Sequence, residues 1–343
     1  MIKKIFWFLF LIGITAWGVS ALYYGDSRTS TWHIAVASAF GFSGMLAAID
    51  VFRSDRYGQW QLSHLLLFFG IWVWWLSIAP ANDRDWQTDV ARLAYATIDG
   101  DRVTLHNIRN FDYRSEFDYQ PAYYDKNFDI SKLQGVDLFV FYWMGPAIAH
   151  TILSFDFGEQ GHLAVSIETR KQLGEKYSTI KGFLRQYELI YVVADERDVI
   201  RLRTNFRNNP AEEAYLYRIT GSQESGQRLF LSYLATINAL RDQPKFYNTL
   251  LNNCTVAIWL QSLVNKDHLP FSWKILLSGY LPEYLYESNR LETQMPFVEL
   301  QRQANINHLA KMADRSADFS RQIRLASHYL NSTDGRIVES GPN

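Results

Sequence analysis

Three long apolar stretches crowd the first 80 residues, and they constrain the fold of this chain more than anything that follows. Ile5–Tyr23, Trp32–Ile49 and Trp60–Ala79 contain no Asp, Glu, Lys or Arg. Each is about 18–20 residues long, enough to cross a hydrocarbon core of ~30 Å at ~1.5 Å per residue. Tyr23, Tyr24, Trp32, Tyr57 and Trp60 stand at their ends, where aromatic rings favour the membrane interface. A cleaved signal peptide is the competing reading of the first stretch, with Lys3 and Lys4 as its basic flank. No convincing small-x-small cleavage site follows it, and two more apolar stretches do. The expectation is a three-span transmembrane region over residues 1–81.

Orientation follows from basic residues in short loops. Lys3 and Lys4 precede the first stretch, Arg53 and Arg56 separate the second from the third, and only Arg28 separates the first from the second. This predicts a multi-pass membrane protein with a cytoplasmic N-terminus and a large domain after about residue 82 on the far side, which in a bacterial inner membrane is the periplasm. His33 and His64 lie near span ends and read as interfacial or packed.

The remaining sequence is a polar, mixed domain. The whole chain has 343 residues, 34 Lys+Arg and 35 Asp+Glu, for a net charge of −1. That balance argues against nucleic acid as the main partner, since phosphate binding needs a cationic surplus. Arg102–Phe111, Tyr119–Ile130, Val136–Trp143, Tyr187–Val193, Val199–Arg203 and Ala214–Ile219 read as strands or strand and loop. His150–Phe157 and His162–Arg170 alternate around Gly158-Glu159-Gln160-Gly161, a hairpin signal. Gln227–Leu240 reads as an amphipathic helix, and the tail, Ile306–Leu330, as a polar-faced helix or two. Strands followed by helices predict an α+β domain over 82–290 with an antiparallel sheet, then a helical tail over 291–343. Asp195, Glu196, Arg197, Asp198, Arg201 and Arg203 mix signs around a turn and read as a solvated ion-pair network. Glu188, inside an apolar strand, needs a partner if it points inward; the nearby arginines of that cluster are candidates, as are Arg109 and Arg114.

The chain has one cysteine, Cys254. In an oxidising space it can form no intramolecular disulfide, so it is either buried and inert or kept for reactivity. Its setting favours reactivity. Asn252-Asn253-Cys254-Thr255 leads into the apolar Val256–Leu260, so either Asn is placed to cap a helix whose first turn holds the thiol. Unsatisfied N–H groups and the helix dipole there favour a thiolate. A nucleophilic thiol needs a base and a group that orients the base. Centring the hairpin near residue 159 puts His150 opposite Glu168, with Ser166 and Arg170 on the same face. An exposed polar sheet face is the plain alternative. His162, beside the turn, is a weaker third partner. No metal is expected, because one Cys and scattered His residues give no close ligand pair. No Gly-x-Gly-x-x-Gly or phosphate loop occurs, and no cofactor is expected. Asn331-Ser332-Thr333 fits a glycosylation acceptor without meaning in a bacterium.

The strings His150-Thr-Ile-Leu-Ser-Phe-Asp-Phe, Ser166-Ile-Glu168-Thr-Arg170, Tyr187-Glu-Leu-Ile-Tyr191, Asp195-Glu-Arg197-Asp198-Val-Ile-Arg201-Leu-Arg203 and Tyr247-Asn-Thr-Leu-Leu-Asn-Asn253-Cys254-Thr255 together resemble the bacterial Lnb N-terminal periplasmic domain family. Asn107–Arg114 resembles its opening segment, and the likeness covers roughly residues 85–290. The family's namesakes are lipoprotein N-acyltransferases, and the residue order also resembles permuted papain-like enzymes of the NlpC and lecithin:retinol acyltransferase groups. The resemblance implies a permuted papain-like fold, with Cys254 as nucleophile, His150 as base, Glu168 rather than Ser166 as the orienting group, and Asn253 beside them. It implies substrate contacts from Arg170, Tyr247 and Asn252. The three spans before the domain depart from the namesakes, so the substrate does not carry over with the family.

The expected function is a membrane-tethered acyltransferase working through a Cys254 thioester, with a membrane lipid as acyl donor and an envelope lipoprotein or other amine as acceptor. A cysteine hydrolase or amidase of the envelope shares that intermediate. A non-catalytic envelope scaffold with a packed Cys254 is the third reading. Leu269–Tyr286, rich in apolar and aromatic residues, reads first as core and second as a lipid path.

Overall fold

The computed structural model describes residues 1–25, 31–53 and 58–325. Arg28, Arg56 and Tyr57 lie outside the described residues, as do the end of the predicted tail helix, His328 and the Asn331 acceptor. The chain divides into two compact units. The first is 1–87, 169–189 and 244–249; the second is 88–168, 190–243 and 250–343.

The first unit opens with α1 (Ile2–Tyr24), α2 (Thr31–Arg53) and α3 (Gln59–Ser77). Two of these, α1 and α2, are long and apolar enough to cross a membrane. The expectation of three such helices is corrected to two. Gln59, Gln61, Ser63 and His64 make the first turns of α3 polar. Its apolar run from Leu65 to Leu76 is only ~18 Å long, short of ~30 Å. Gln61 and His64 among them face the neighbouring helices. His64 lies 2.9 Å from Thr15 Oγ1 on α1 and 2.9 Å from Ser43 Oγ on α2. Gln61 accepts from Trp7 Nε1 at 2.7 Å and donates to Asp50 at 3.4 Å. The C-terminal carbonyls of α3 are closed by Arg185, which donates to Leu76 O at 3.0 Å and stacks on Trp75 at 4.2 Å. A cation there complements the helix dipole. Glu188 is buried in this unit, and its partners are Arg84, at 3.0 Å, and the Ala81 N–H. Burial still holds its carboxyl above the usual range. Arg109 and Arg114 pair elsewhere, with Asp198 and Asp118.

The second unit is built on strands β1 (Tyr95–Asp99), β2 (Arg102–Arg109), β3 (Asp112–Tyr113), β4 (Tyr119–Gln120), β5 (Tyr123–Asp129), β6 (Gly135–Tyr142), β7 (Ala149–Asp156), β8 (His162–Arg170), β9 (Glu188–Ala194) and β10 (Glu213–Ile219). The main sheet runs β1-β2-β9-β8-β7-β6-β10, with β5 also pairing β2. The β2–β9 pair is parallel at Arg109 and Ala194, so the sheet is mixed rather than purely antiparallel. The class is α+β. β7 is buried along its whole length, as a central strand covered on both faces must be.

α4 (Thr179–Phe183) belongs to the first unit; the helices of the second are α5 (Glu196–Arg201), α6 (Gln223–Asp242), α7 (Cys254–Ser262), α8 (Trp273–Leu276), α9 (Leu281–Glu287), α10 (Phe297–Ala304), α11 (Asn307–Met312) and α12 (Phe319–Gln322). The predicted strand Val199–Arg203 is α5 followed by a π-helical turn, Leu202–Phe206. Glu196 and Asp198 in the first turn suit a helix N-terminus, and burial on all sides mimicked the alternation of a strand. The tail packs into this unit, where Ile306, Ala310, Phe319 and Ile323 join the core with Phe139, Ile152 and Leu216.

Candidate functional site

α7 starts at Cys254 because Asn253 caps it, its Oδ1 accepting from the Val256 N–H at 2.8 Å. The thiol therefore sits in the first turn, among N–H groups that no helical carbonyl satisfies. Asn252 is half-buried directly before the cap. Cys254 itself is buried.

The β7–β8 register pairs Ile152 with Ser166. Two residues farther along each strand stand His150 and Glu168, the pairing the hairpin predicts. His150 Nε2 lies 2.8 Å from Ser166 Oγ and 3.1 Å from Glu168 Oε1. Ser166 donates to the same carboxylate oxygen at 2.7 Å. The imidazole lies within electrostatic reach of the Cys254 thiol and favours its charged form. Thr151 also favours the thiolate. Its hydroxyl lies 3.1 Å from Thr255 Oγ1, which is 3.8 Å from Sγ.

The mixed-sign cluster is an ion-pair network but not a solvated one: Glu196, Asp198, Arg201 and Arg203 are all buried. Arg203 enters the site. It donates to Glu168 at 3.4 Å, pairs with Glu212 at 2.9 Å, and lies over the Phe141 ring at 5.1 Å. Nothing local in the sequence marked it out, because its partners come from β8 and from beyond the π-helical turn.

The charges reinforce one another. Burial pushes the Cys254 thiol up, but the His150 charge and hydrogen bonds from His150 and Thr151 outweigh it and bring the thiol down to about 6. Burial and Arg203 press the His150 imidazolium to lose its proton; Glu168 and Cys254 prevail and raise it to about 9. Burial alone would raise the Glu168 carboxyl, but His150, Arg203 and Ser166 hold it well below the carboxylate range. The arrangement can therefore present a thiolate, a protonated imidazole and a fixed carboxylate in one place.

The other predicted residues have partners of their own. His162 is 3.6 Å from Asp156 at the turn end of the hairpin, six residues, or ~20 Å, along β8 from Glu168. Arg170 belongs to the first unit, where it donates to Asn82 at 2.8 Å and stacks on Trp86 at 4.2 Å. Tyr247 is in the first unit too, its N–H bonded to Tyr187 O at 2.9 Å. Among the described residues one group, Asp137, His162 and Glu196, has the spacing to hold a metal ion. Arg324 already pairs with both carboxylates, at 2.7 and 2.6 Å, and Arg218 with Asp137, so the charge a cation would supply is in place.

No curated protein and no solved structure matches this chain significantly. Residues 119–279, a span that includes His150, Ser166, Glu168, Arg203 and Cys254, match the family model of the Lnb N-terminal periplasmic domain. Over that stretch the chain is similar to that family, and the match, with α1 and α2 before it, points to a membrane-associated, periplasmic protein.

Proposed function

We propose that this protein is a membrane-anchored thiol acyltransferase with Cys254 as nucleophile, His150 as acid and base, and Glu168 as the group that orients His150. The observation that carries the reading is the Cys254–His150–Glu168 chain, with the thiol in the first turn of α7 and lowered to about 6. The Cys254 thiolate attacks the carbonyl carbon of a phospholipid ester. N–H groups at the start of α7 stabilise the oxyanion. The ester C–O bond breaks, the His150 imidazolium gives its proton to the leaving alkoxide, and a thioester remains. An amine, such as the terminal amine of an envelope lipoprotein, then attacks the thioester; His150 takes its proton and the thiolate leaves. The order of strand His and helix-start Cys supports a permuted papain-like core.

The test is intact mass spectrometry of the full chain in detergent with phospholipid. A hydroxylamine-sensitive, acyl-sized adduct on the wild type, absent from Cys254→Ala and much reduced in His150→Ala, is expected. No adduct on a thiol that reacts readily with maleimide overturns the lipid donor and points to another hydrolase substrate. No adduct on an unreactive thiol overturns the enzymatic reading.

A further inference from the structure

Within the second unit, large apolar side chains lie exposed on the segments that border the thiol site. Leu251, three residues before Cys254, is 68 % exposed, and Met144, in the loop that leads to His150, is 66 % exposed. Phe271 and Trp273, at 54 % and 55 %, lead into and open α8, and Leu277 follows at 39 %. These segments are tied together. The Gly279 N–H donates to Ala147 O at 3.1 Å, Tyr142 OH donates to Gly279 O at 2.6 Å, and the Ala149 N–H donates to Ser278 Oγ at 2.9 Å. The stretch after α8 is thereby fastened to both ends of the β6–β7 loop, one residue from His150. Phe271 packs its ring on Trp259 of α7 at 5.3 Å.

The apolar surface continues inward. Trp259 and Ile275, on the inner side of the same segments, line a cavity of about 400 Å³ with Leu138, Leu153, Ile258 and Leu285. Thr255, the neighbour of Cys254, is also on its wall. Exposed Trp, Phe, Leu and Met beside an apolar cavity is not the scattered apolar exposure of an ordinary soluble face. The one cation among them, Lys274, is neutralised by Glu283 and Glu287 at 3.3 and 2.7 Å.

We propose that Phe271, Trp273, Leu277, Leu251 and Met144 form a membrane-contact rim that dips into the lipid interface beside the thiol. The occupant is a bilayer because the chain brings one with it: α1 and α2 are apolar enough to cross a membrane, which holds the domain within reach of lipid. The chemistry of the rim is that of interfacial anchors, with aromatic and aliphatic side chains projecting and charges paired. A lipid alkyl chain then reaches the cavity wall without passing through water.

The rim does not depend on any reaction at Cys254, so it is tested without one. The full chain carrying Cys254→Ser receives a single cysteine at Phe271→Cys, Leu251→Cys or, as a control at an exposed charged position, Asp101→Cys. Each is labelled with an environment-sensitive fluorophore and placed in nanodiscs of phosphatidylethanolamine and phosphatidylglycerol, after its melting curve has been matched to that of the parent. Labels at 271 and 251 are expected to emit at shorter wavelength and to be quenched several-fold more by spin-labelled lipid than the label at 101. Water-like emission at 271 and 251 overturns the rim. Blue-shifted emission without lipid quenching also overturns it, and assigns the face to a protein partner or a second copy. A thioester on the wild type with no rim quenching leaves the acyltransferase reading standing while this proposal falls.

Discussion

Arg203 Nη2 lies 3.4 Å from Glu168 Oε1, the oxygen that also faces His150. A cation thus backs the carboxylate that backs the imidazole. It keeps Glu168 ionised while moderating how strongly His150 holds its proton.

Removing that cation leaves Glu212 and Glu168 without their buried partner. Arg203→Met is expected to cost about 3–5 kcal/mol in denaturant unfolding, the usual range when one side of a buried ion pair is lost. Because Arg203 and Cys254 favour each other's charged form, the thiol of a folded Arg203→Gln protein should also titrate at higher pH than the wild type. An unchanged alkylation profile in a folded Arg203→Gln protein contradicts this coupling.

The pH dependence of thiol reactivity has a definite shape. As pH rises through about 6, Cys254 loses its proton and alkylation by iodoacetamide accelerates. As pH rises through about 9, His150 loses its proton and the acid for leaving-group departure disappears. Acyl transfer should therefore peak between the two, while alkylation should rise without falling back. Both values belong to the coupled pair. A single alkylation step near the ordinary thiol value of 9.0 would show that the pair is not formed.

Glu168→Gln keeps the shape but removes the charge that raises His150. The upper limb of the activity profile should move to lower pH, and turnover should drop ~10²–10⁴-fold, the range for impaired general acid–base catalysis. Steady-state rates across pH would show it. Ser166→Ala, which removes a hydroxyl between the two, should act in the same direction and more weakly.

The Asn253 cap has its own signature. Asn253→Ala should destabilise the domain by ~1 kcal/mol and Asn253→Asp should restore most of that, as for other helix caps. Chemical denaturation of the three proteins makes the comparison.

Gly279 packs where no side chain fits, since a Cβ there would land on the Pro146 carbonyl oxygen. Gly279→Ala should cost ~1–3 kcal/mol, typical of overpacking, and should impair turnover because the displaced loop leads into His150. A melting curve and activity equal to wild type would refute the tie between the two segments.

Much of this site was legible in the sequence because its determinants are local. The Asn-Asn-Cys approach to an apolar run specifies a capped helix, and a hairpin centred at residue 159 specifies that His150 meets Glu168. Arg203 was hidden because its role depends on the π-helical turn at Leu202–Phe206, which local alternation cannot distinguish from a strand end. The third apolar stretch misled for a related reason. Counting uncharged residues treats Gln61 and His64 as apolar, whereas their partners Trp7, Asp50, Thr15 and Ser43 lie on two other helices.

Arg324, near the end of the described chain, is buried and bonds Asp137 on β6 and Glu196 on α5. Both carboxylates lie within the stretch that matches the family, while the guanidinium lies 45 residues beyond its last matched position, 279. A recombinant fragment cut where the likeness ends would leave Glu196 without its guanidinium partner and Asp137 with Arg218 alone. The stretch that resembles the family is thus shorter than the unit whose charges this chain balances.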